Sequence, residues 1–282
     1  MLVGAGACSP YLASLIEREA GWLARALVGA PEATLDAVLA DVSDAPDEGL
    51  AVSLRQAKRR VALLTGLADL GGVWTLDDVT RALTRFADLA VNRALQAALV
   101  RATKRTPELE AGGIAVLAMG KMGAFELNYS SDIDLICLID DTCYSAAEVP
   151  AARAGAAKAV RAMAAMLSDV TAEGYVFRTD LRLRPDPAVT PVCVSMEAAE
   201  RYYESLGRAW ERAAYIKARA AAGAIAAAEG FLQRLTPFVW RRNLDFAAIQ
   251  DAQSMRLKIR EHKGAARRMD GFDIKLGFFV MG

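Results

Sequence analysis

Hydrophobic positions recur with helical spacing through the first third of the chain. In residues 9–29, leucine, isoleucine and tryptophan fall three or four positions apart and form one broad apolar stripe. A second helical pattern begins near Leu76 and continues to about Thr103. The spacing therefore predicts an N-terminal helical region over residues 1–104.

A different pattern follows, in which short apolar runs replace the helical spacing. Residues 112–120 and 132–140 are typical of buried strands, and the first of these runs is bounded by glycines. An alanine-rich stretch over residues 146–170 predicts a helix, and residues 174–185 again have strand character. We expect residues 105–194 to form an α/β core, which with its helical flanks makes the fold class α+β.

Helical spacing returns after this core. Ser195 is a candidate N-cap, and helices are predicted over residues 196–206, 208–222 and 246–262. We expect residues 195–282 to form a C-terminal helical region.

The charge balance and the cysteine pattern exclude several classes of function. Lys and Arg number 34, as do Asp and Glu, so no overall positive field favours a nucleic-acid partner. The four cysteines contain no C-x-x-C pair and His262 is the single histidine, which argues against a zinc site and fits a reducing compartment. The sequence also lacks an apolar run long enough to cross a membrane and a basic leader. These features predict a cytoplasmic protein without a membrane partner.

Two aspartates at the start of an oily strand are the main chemical signal. Alternation along a strand places Asp132 and Asp134 on one face, about 7 Å apart. Two carboxylates there repel each other and lose hydration, so a positive partner is expected. Asp180, on the predicted strand 174–185, supplies a third carboxylate. Hard oxygen ligands of this kind suit Mg²⁺, with Mn²⁺ as an alternative, and a pair of such ions can promote phosphoryl displacement.

Basic residues follow the third aspartate at strand spacing. Arg182 and Arg184 would share the face of Asp180, where guanidinium groups can bind phosphate in a bidentate manner. The simpler alternative is an ordinary solvated strand face. For Asp132 and Asp134 the corresponding alternative is a strand start that faces solvent.

A glycine-bounded turn precedes the first two aspartates. Gly120 and Gly123 permit close approach of a ligand to the backbone, and Lys121 adds a positive charge. The alternative for Lys121 is a salt bridge with Glu126.

Three segments carry a resemblance to one protein family. "GKMGAFELNYSSDIDL" (120–135), "GYVFRTDLRLRP" (174–185) and "RYYESLGRAWERAAYIKAR" (201–219) resemble the bifunctional glutamine synthetase adenylyltransferase/adenylyl-removing enzymes. The sequence of these segments is closer to that of the N-terminal, adenylyl-removing half. The similarity runs from about residue 9 to about residue 277. This resemblance implies a nucleotidyltransferase core of the DNA polymerase β type.

The resemblance also implies a reaction and its partners. The family attaches AMP from ATP to a tyrosine of glutamine synthetase, and the N-terminal half removes it with orthophosphate, releasing ADP. The implied partners are glutamine synthetase, ATP or ADP and orthophosphate, with a PII-type signalling protein as a further candidate. The implied role is regulation of nitrogen assimilation.

Site residues are carried over from the family motif position by position. The implied metal ligands and catalytic residues are Asp132, Asp134 and Asp180, and the implied nucleotide and phosphate contacts are Gly120, Lys121, Gly123, Ser131, Arg182 and Arg184.

One departure from the family pattern suggests a second hypothesis. After residues 273–277 the family has a glycine-rich segment, whereas here "FFVMG" follows directly, so we expect a truncated chain. The second hypothesis is therefore a catalytically impaired remnant that binds glutamine synthetase or a PII-type protein. A third, a nucleotidyltransferase that extends nucleic acids, is disfavoured by the neutral charge.

Overall fold

A computed structural model of the chain describes residues 2–240 and residue 257, together with the backbone of residues 271–273 and 278–280. The predicted helix 246–262 lies outside the described residues apart from Leu257, as does His262.

Six helices precede the first strand in the described chain, as the apolar spacing predicts. They are α1 (Leu2–Cys8), α2 (Pro10–Arg18), α3 (Ala20–Ala26), α4 (Pro31–Ser43), α5 (Leu50–Leu70) and α6 (Leu76–Thr103). The start of α6 is fixed by a capping box, in which Thr75 N–H donates to Asp78 at 2.9 Å and Asp78 N–H donates to the Thr75 hydroxyl at 3.3 Å. Helix α6 then packs against both the following core helix and the sheet.

A five-stranded mixed sheet forms the centre of the described residues. Its strands are β1 (Ile114–Ala118), β2 (Ile133–Ile139), β3 (Thr179–Asp180), β4 (Cys193–Ser195) and β5 (Arg219–Gly223). β1 lies antiparallel between β2 and β5. β3 and β4 both pair in parallel with β2, β3 at its beginning and β4 at its end. This small sheet among helices confirms the predicted α+β class.

The remaining elements are mostly short helices. They are α7 (Gly120–Gly123), α8 (Val149–Ser168), α9 (Met196–Ser205), α10 (Ala209–Tyr215), α11 (Ile225–Arg234) and α12 (Thr236–Val239), with 3-10 turns at Pro107–Ala111 and Asp141–Cys143 and an antiparallel pair β6 (Gly271–Asp273) and β7 (Phe278–Val280). Ser195 caps α9 as predicted, because its hydroxyl accepts a hydrogen bond from Ala198 N–H. None of the helices in the described part of the chain is both long and apolar enough to cross a membrane.

The sheet lies between two apolar layers, and the alternation along β2 decides which residue enters which layer. Leu135 and Cys137 are buried on the side that contains Phe86 of α6. Ile136 and Leu138 are buried on the opposite side, together with Tyr203 of α9. Even-numbered positions at the start of β2 therefore point toward the second layer, which is where the first carboxylates emerge.

Two predicted elements are wrong in extent. Of the predicted strand 174–185, only Thr179–Asp180 pairs with the central sheet, and the chain then turns away into a loop. The predicted helix 208–222 ends at Tyr215, and Arg219–Gly223 pairs with β1 instead. Strand pairing there overrides the helix propensity of alanine, and the close approach of β1 requires glycine: a Cβ on Gly223 would lie 2.2 Å from a backbone oxygen of β1.

Candidate active site

Asp134 and Asp180 lie side by side on neighbouring parallel strands, where they are register partners of β2 and β3. Asp134 is half-buried, and no donor among the described residues hydrogen-bonds to its carboxylate. Burial raises the pKa of Asp134, and the charges of Asp180 and Asp132 raise it further, while Arg182 acts in the opposite direction. The strand pairing therefore concentrates negative charge at this edge of the sheet.

Asp180 is neutralised by the next basic residue along the chain. The backbone N–H of Arg182 donates to Asp180 at 2.8 Å, and its guanidinium donates to both carboxylate oxygens at 2.6–3.0 Å. These hydrogen bonds lower the pKa of Asp180. Arg182 itself is 82% exposed, so its guanidinium remains accessible to a ligand from solvent.

Asp132 comes immediately before β2 and forms an ion pair with Arg178. Arg178 also donates to the carbonyl of Ser130 at 2.8 Å and to the hydroxyl of Tyr175 at 3.0 Å. The Arg178 guanidinium thus connects the loop before β2 to the segment before β3 through hydrogen bonds. The charge of Asp132 is thereby close enough to Asp134 to raise the pKa of that carboxylate.

The three carboxylates suit a hard divalent cation in chemistry but are not grouped as a ligand set. In the part of the chain that the structure describes, no cluster of three or more His, Cys, Asp or Glu side chains is arranged to hold a metal ion. Asp132 and Asp180 are instead paired with arginines, while Asp134 has no such partner among the described residues. Carboxylate oxygens are ligands that Mg²⁺ and Mn²⁺ accept. Asp134 is available as it stands, and Asp132 and Asp180 would become available when their side chains rotate away from their arginines.

The glycine turn lies directly over Asp134. Gly120 has a φ of +55°, and a Cβ built there would lie 3.2 Å from Asp134 Oδ2, so both conformation and space favour glycine. Arg219 stabilises the turn. Its guanidinium donates to the Met122 carbonyl at 3.2 Å and lies 4.1 Å from the centre of the Phe125 ring. This support fixes the backbone of the turn next to the carboxylates.

The other predicted residues of the turn have different surroundings. Gly123 is buried against the backbone of the segment around Lys217, which gives it a packing role. Lys121 is exposed. The alternative of a Lys121–Glu126 salt bridge is wrong, because Glu126 pairs with Lys217. A phosphate role for Lys121 and Gly123 stays a prediction.

Ser131 lies in the loop between the turn and β2, half-buried on the wall of a large cavity. Tyr129 anchors this loop to α5, since its hydroxyl donates to Asp69 at 2.8 Å. The serine is therefore held near the carboxylates and remains a predicted phosphate contact.

Arg184 does not share a face with Arg182, so that prediction is wrong. It is buried, and its guanidinium donates to the carbonyls of Leu181 at 2.7 Å, Pro187 at 2.9 Å and Thr190 at 3.2 Å. The chain leaves the strand after Asp180, and Arg184 turns inward to satisfy the backbone of the resulting loop.

Arg184→Met is expected to lower the free energy of unfolding by about 2 kcal/mol, because three carbonyls lose a charged donor. Urea denaturation followed by circular dichroism measures this loss. Arg182→Met, at an exposed site, is the matched control and should change stability by less than about 1 kcal/mol. Equal stability of Arg184→Met and the wild type would contradict the structural role.

Three basic residues at or near the site were given no role by sequence reasoning: Arg178, Arg219 and Lys58. Arg178 precedes Asp180 by two positions, and its strand spacing placed it on the carboxylate face without indicating a partner. Arg219 and Lys58 lie in segments that have the pattern of ordinary helix surfaces. Only the tertiary structure shows where their charges are placed.

Comparison with known proteins assigns the chain to a family. Residues 2–234 match the model of the glutamate-ammonia ligase adenylyltransferase family. The chain is similar to the bifunctional glutamine synthetase adenylyltransferase/adenylyl-removing enzyme of Caulobacter vibrioides, with 47% identity over 96% of this chain and 29% of that protein. The protein of the same description from a Bradyrhizobium species is 45% identical over 98% of this chain and 30% of its own length. The chain thus spans less than a third of these relatives.

Proposed function

The chain belongs to the glutamate-ammonia ligase adenylyltransferase family, and from this we propose that it is a metal-dependent nucleotidyltransferase that removes AMP from a tyrosine of glutamine synthetase. The observation that carries the proposal is the register pair of Asp134 and Asp180 beneath the Gly120 turn. The target is inferred from the names of the relatives. The choice of the removing reaction rests on the resemblance of residues 176–185 and 207–219 to that half of the family.

The proposed chemistry is a phosphorolysis. An oxygen of orthophosphate attacks the α-phosphorus of the tyrosine-bound AMP, the bond from phosphorus to the tyrosine oxygen breaks, and that oxygen takes a proton. The products are ADP and unmodified tyrosine, so no covalent enzyme intermediate is required. Negative charge builds up on the phosphoryl oxygens in the transition state, and stabilising it is the principal task of the site.

The chain's own residues supply position and charge for this step. Asp132, Asp134 and Asp180 would hold Mg²⁺ or Mn²⁺, which when bound supplies positive charge to the phosphoryl oxygens. Arg182 has an accessible guanidinium that can bind a phosphate oxygen. Gly120 allows a nucleotide to approach the backbone of the turn.

A binding module is the second candidate. The pairing of Asp132 with Arg178 and of Asp180 with Arg182 favours it, because arginines of this chain already neutralise two of the three carboxylates. Such a module would bind glutamine synthetase or a PII-type signalling protein without turnover. A further regulatory role for PII-type protein and ATP would belong to either candidate.

The two candidates are separated by one assay. AMP-modified glutamine synthetase is incubated with orthophosphate, the full chain and either Mg²⁺ or Mn²⁺, and ADP is measured by chromatography. If the chain is the proposed enzyme, ADP should form in proportion to the AMP lost, and no ADP should form when orthophosphate is omitted. Binding of modified glutamine synthetase without ADP would support the module, and neither binding nor ADP would reject both.

A further inference from the structure

A cavity of about 530 Å³ adjoins the carboxylates on the side of the N-terminal helices. One wall is formed by α2 and α5, and the other by residues 173–178 and the loop at residues 129–131. We call it the Lys58 cavity. Its charged lining consists of Arg18, Lys58, Arg59, Arg178 and Glu173, which is four cations against one carboxylate.

The walls of the Lys58 cavity are fixed to each other by hydrogen bonds. Arg55 of α5 donates to the Gly174 carbonyl at 2.7 Å. Arg18 of α2 and Arg59 of α5 both donate to Glu173, at 2.8 and 2.7 Å. These contacts hold the cavity open and also neutralise part of its charge, since Glu173 accepts from two of the four cations.

Lys58 has no acidic partner to neutralise it. Among the described residues no carboxylate or other acceptor hydrogen-bonds to its ammonium group, which lies 4.1 Å from the centre of the Phe177 ring. Burial and the nearby charge of Arg178 lower the pKa of Lys58 to about 8, so the group is still mostly protonated at neutral pH. A cation in this position is stabilised when an anion enters the cavity.

Arg178 connects the cavity to the reaction site. It lines the cavity and forms the ion pair with Asp132. Arg178 is therefore shared between the wall of the cavity and Asp132.

The rest of the lining suits a small phosphate compound. Tyr11, Tyr129 and Tyr175 present aromatic surface, and Ser130 and Ser131 supply hydroxyl groups. The volume far exceeds that of orthophosphate and leaves space for a purine against the rings.

We propose that the Lys58 cavity is a binding site for a phosphate group, with Lys58 as the residue that recognises it. The phosphate belongs to orthophosphate or to an adenine nucleotide. Its use as the attacking or product phosphate rests on the proposed function, whereas the binding itself does not. Lys58 is a binding residue here and is given no catalytic step.

The test measures binding in the absence of metal, so that it does not depend on turnover. Orthophosphate is titrated into the full chain in a phosphate-free buffer with a chelator, and heat is measured by calorimetry. Lys58→Met should weaken binding by about tenfold or more, the loss expected for one charge-assisted contact, while Lys58→Arg keeps most of it. Arg25→Met, at an exposed cation of α3 outside the cavity lining, is the control and should bind like the wild type.

Further arms identify the source of the phosphate and separate the two proposals. AMP that binds tighter than orthophosphate, with no binding of adenosine, indicates a nucleotide, while equal affinities indicate orthophosphate. Asp134→Asn should keep metal-free phosphate binding even though it removes the proposed activity. The inference is overturned if the folded wild type does not bind phosphate, or if Lys58→Met binds it equally well.

Discussion

Asp134→Asn is expected to reduce ADP formation from AMP-modified glutamine synthetase by about 10³-fold, the scale of losing one electrostatic contact in a transition state. Of the three carboxylates, Asp134 is the one without a donor among the described residues, and the charges of Asp180 and Asp132 both act on it. Asparagine keeps the shape but removes the charge that a cation requires. Initial rates at saturating orthophosphate and Mg²⁺ measure the effect.

The same variant is expected to be more stable than the wild type at neutral pH. Because the pKa of Asp134 is raised in the folded state, the folded chain binds this proton more tightly than the unfolded chain. The stability that this proton supplies is fully present below the unfolded value of 3.8 and is lost as pH rises through the raised pKa. Asparagine avoids this loss, so the gain should appear near neutral pH and disappear in acid.

Asp41→Asn is the matched control for Asp134→Asn, because Asp41 is exposed on α4 and far along the chain from the site. It should alter neither activity nor stability. If Asp134→Asn kept more than about a tenth of the activity, Asp134 would not be a metal ligand. A variant that lost activity together with its circular dichroism signal would instead show a structural defect.

The alternation of side chains explains why the start of the site could be predicted. Leu135 and Cys137 fill one layer and Ile136 the other, so the position of Asp134 follows from period-two spacing alone. The pairing of β2 with Asp180 follows less directly. The expectation that Asp180 lies near Asp134 rests on the metal chemistry of three carboxylates. The structure places Asp134 and Asp180 in register on neighbouring strands.

Spacing fails where tertiary contacts decide the conformation. The pattern of residues 174–185 is that of a strand, yet Arg184 turns inward to bind three carbonyls and the strand stops at Asp180. Residues 219–223 are rich in alanine and resemble a helix, but pairing with β1 makes them a strand. In the first segment contacts within the following loop outweigh strand preference, and in the second a strand distant in sequence outweighs helix preference.

The Lys58 cavity could not be predicted for a related reason. Helix α5 and residues 173–178, on opposite walls, are more than 100 positions apart, as the hydrogen bond from Arg59 to Glu173 across 114 positions shows. In sequence, Lys58 belongs to a run of basic residues that has the pattern of a solvated helix face. Its burial without an acidic partner emerges only when α5 packs against Phe177.

Gly123→Ala is expected to lower the free energy of unfolding by more than about 3 kcal/mol, because a Cβ there would collide with two backbone oxygens. The added carbon would lie 1.8 Å from the Lys217 carbonyl oxygen and 2.6 Å from that of Ala118. Neither oxygen belongs to a flexible side chain, so the turn must separate from β1 and from the segment before β5. Urea denaturation followed by circular dichroism measures the loss.

Two further glycines show whether the effect is specific. Gly21→Ala in α3 has open space around the added carbon and should stabilise the chain by up to about 1 kcal/mol through helix propensity. Gly120→Ala adds the strain of a positive φ and a contact with the side chain of Asp134, but no collision with backbone, so it should lower stability by about 1 kcal/mol, less than Gly123→Ala does, and should also lower activity. A Gly123→Ala variant within about 1 kcal/mol of the wild type would contradict the close packing beneath the turn. In that case the turn could move away from β1 at little cost, and the fixed position of Gly120 over Asp134 would no longer follow from the fold.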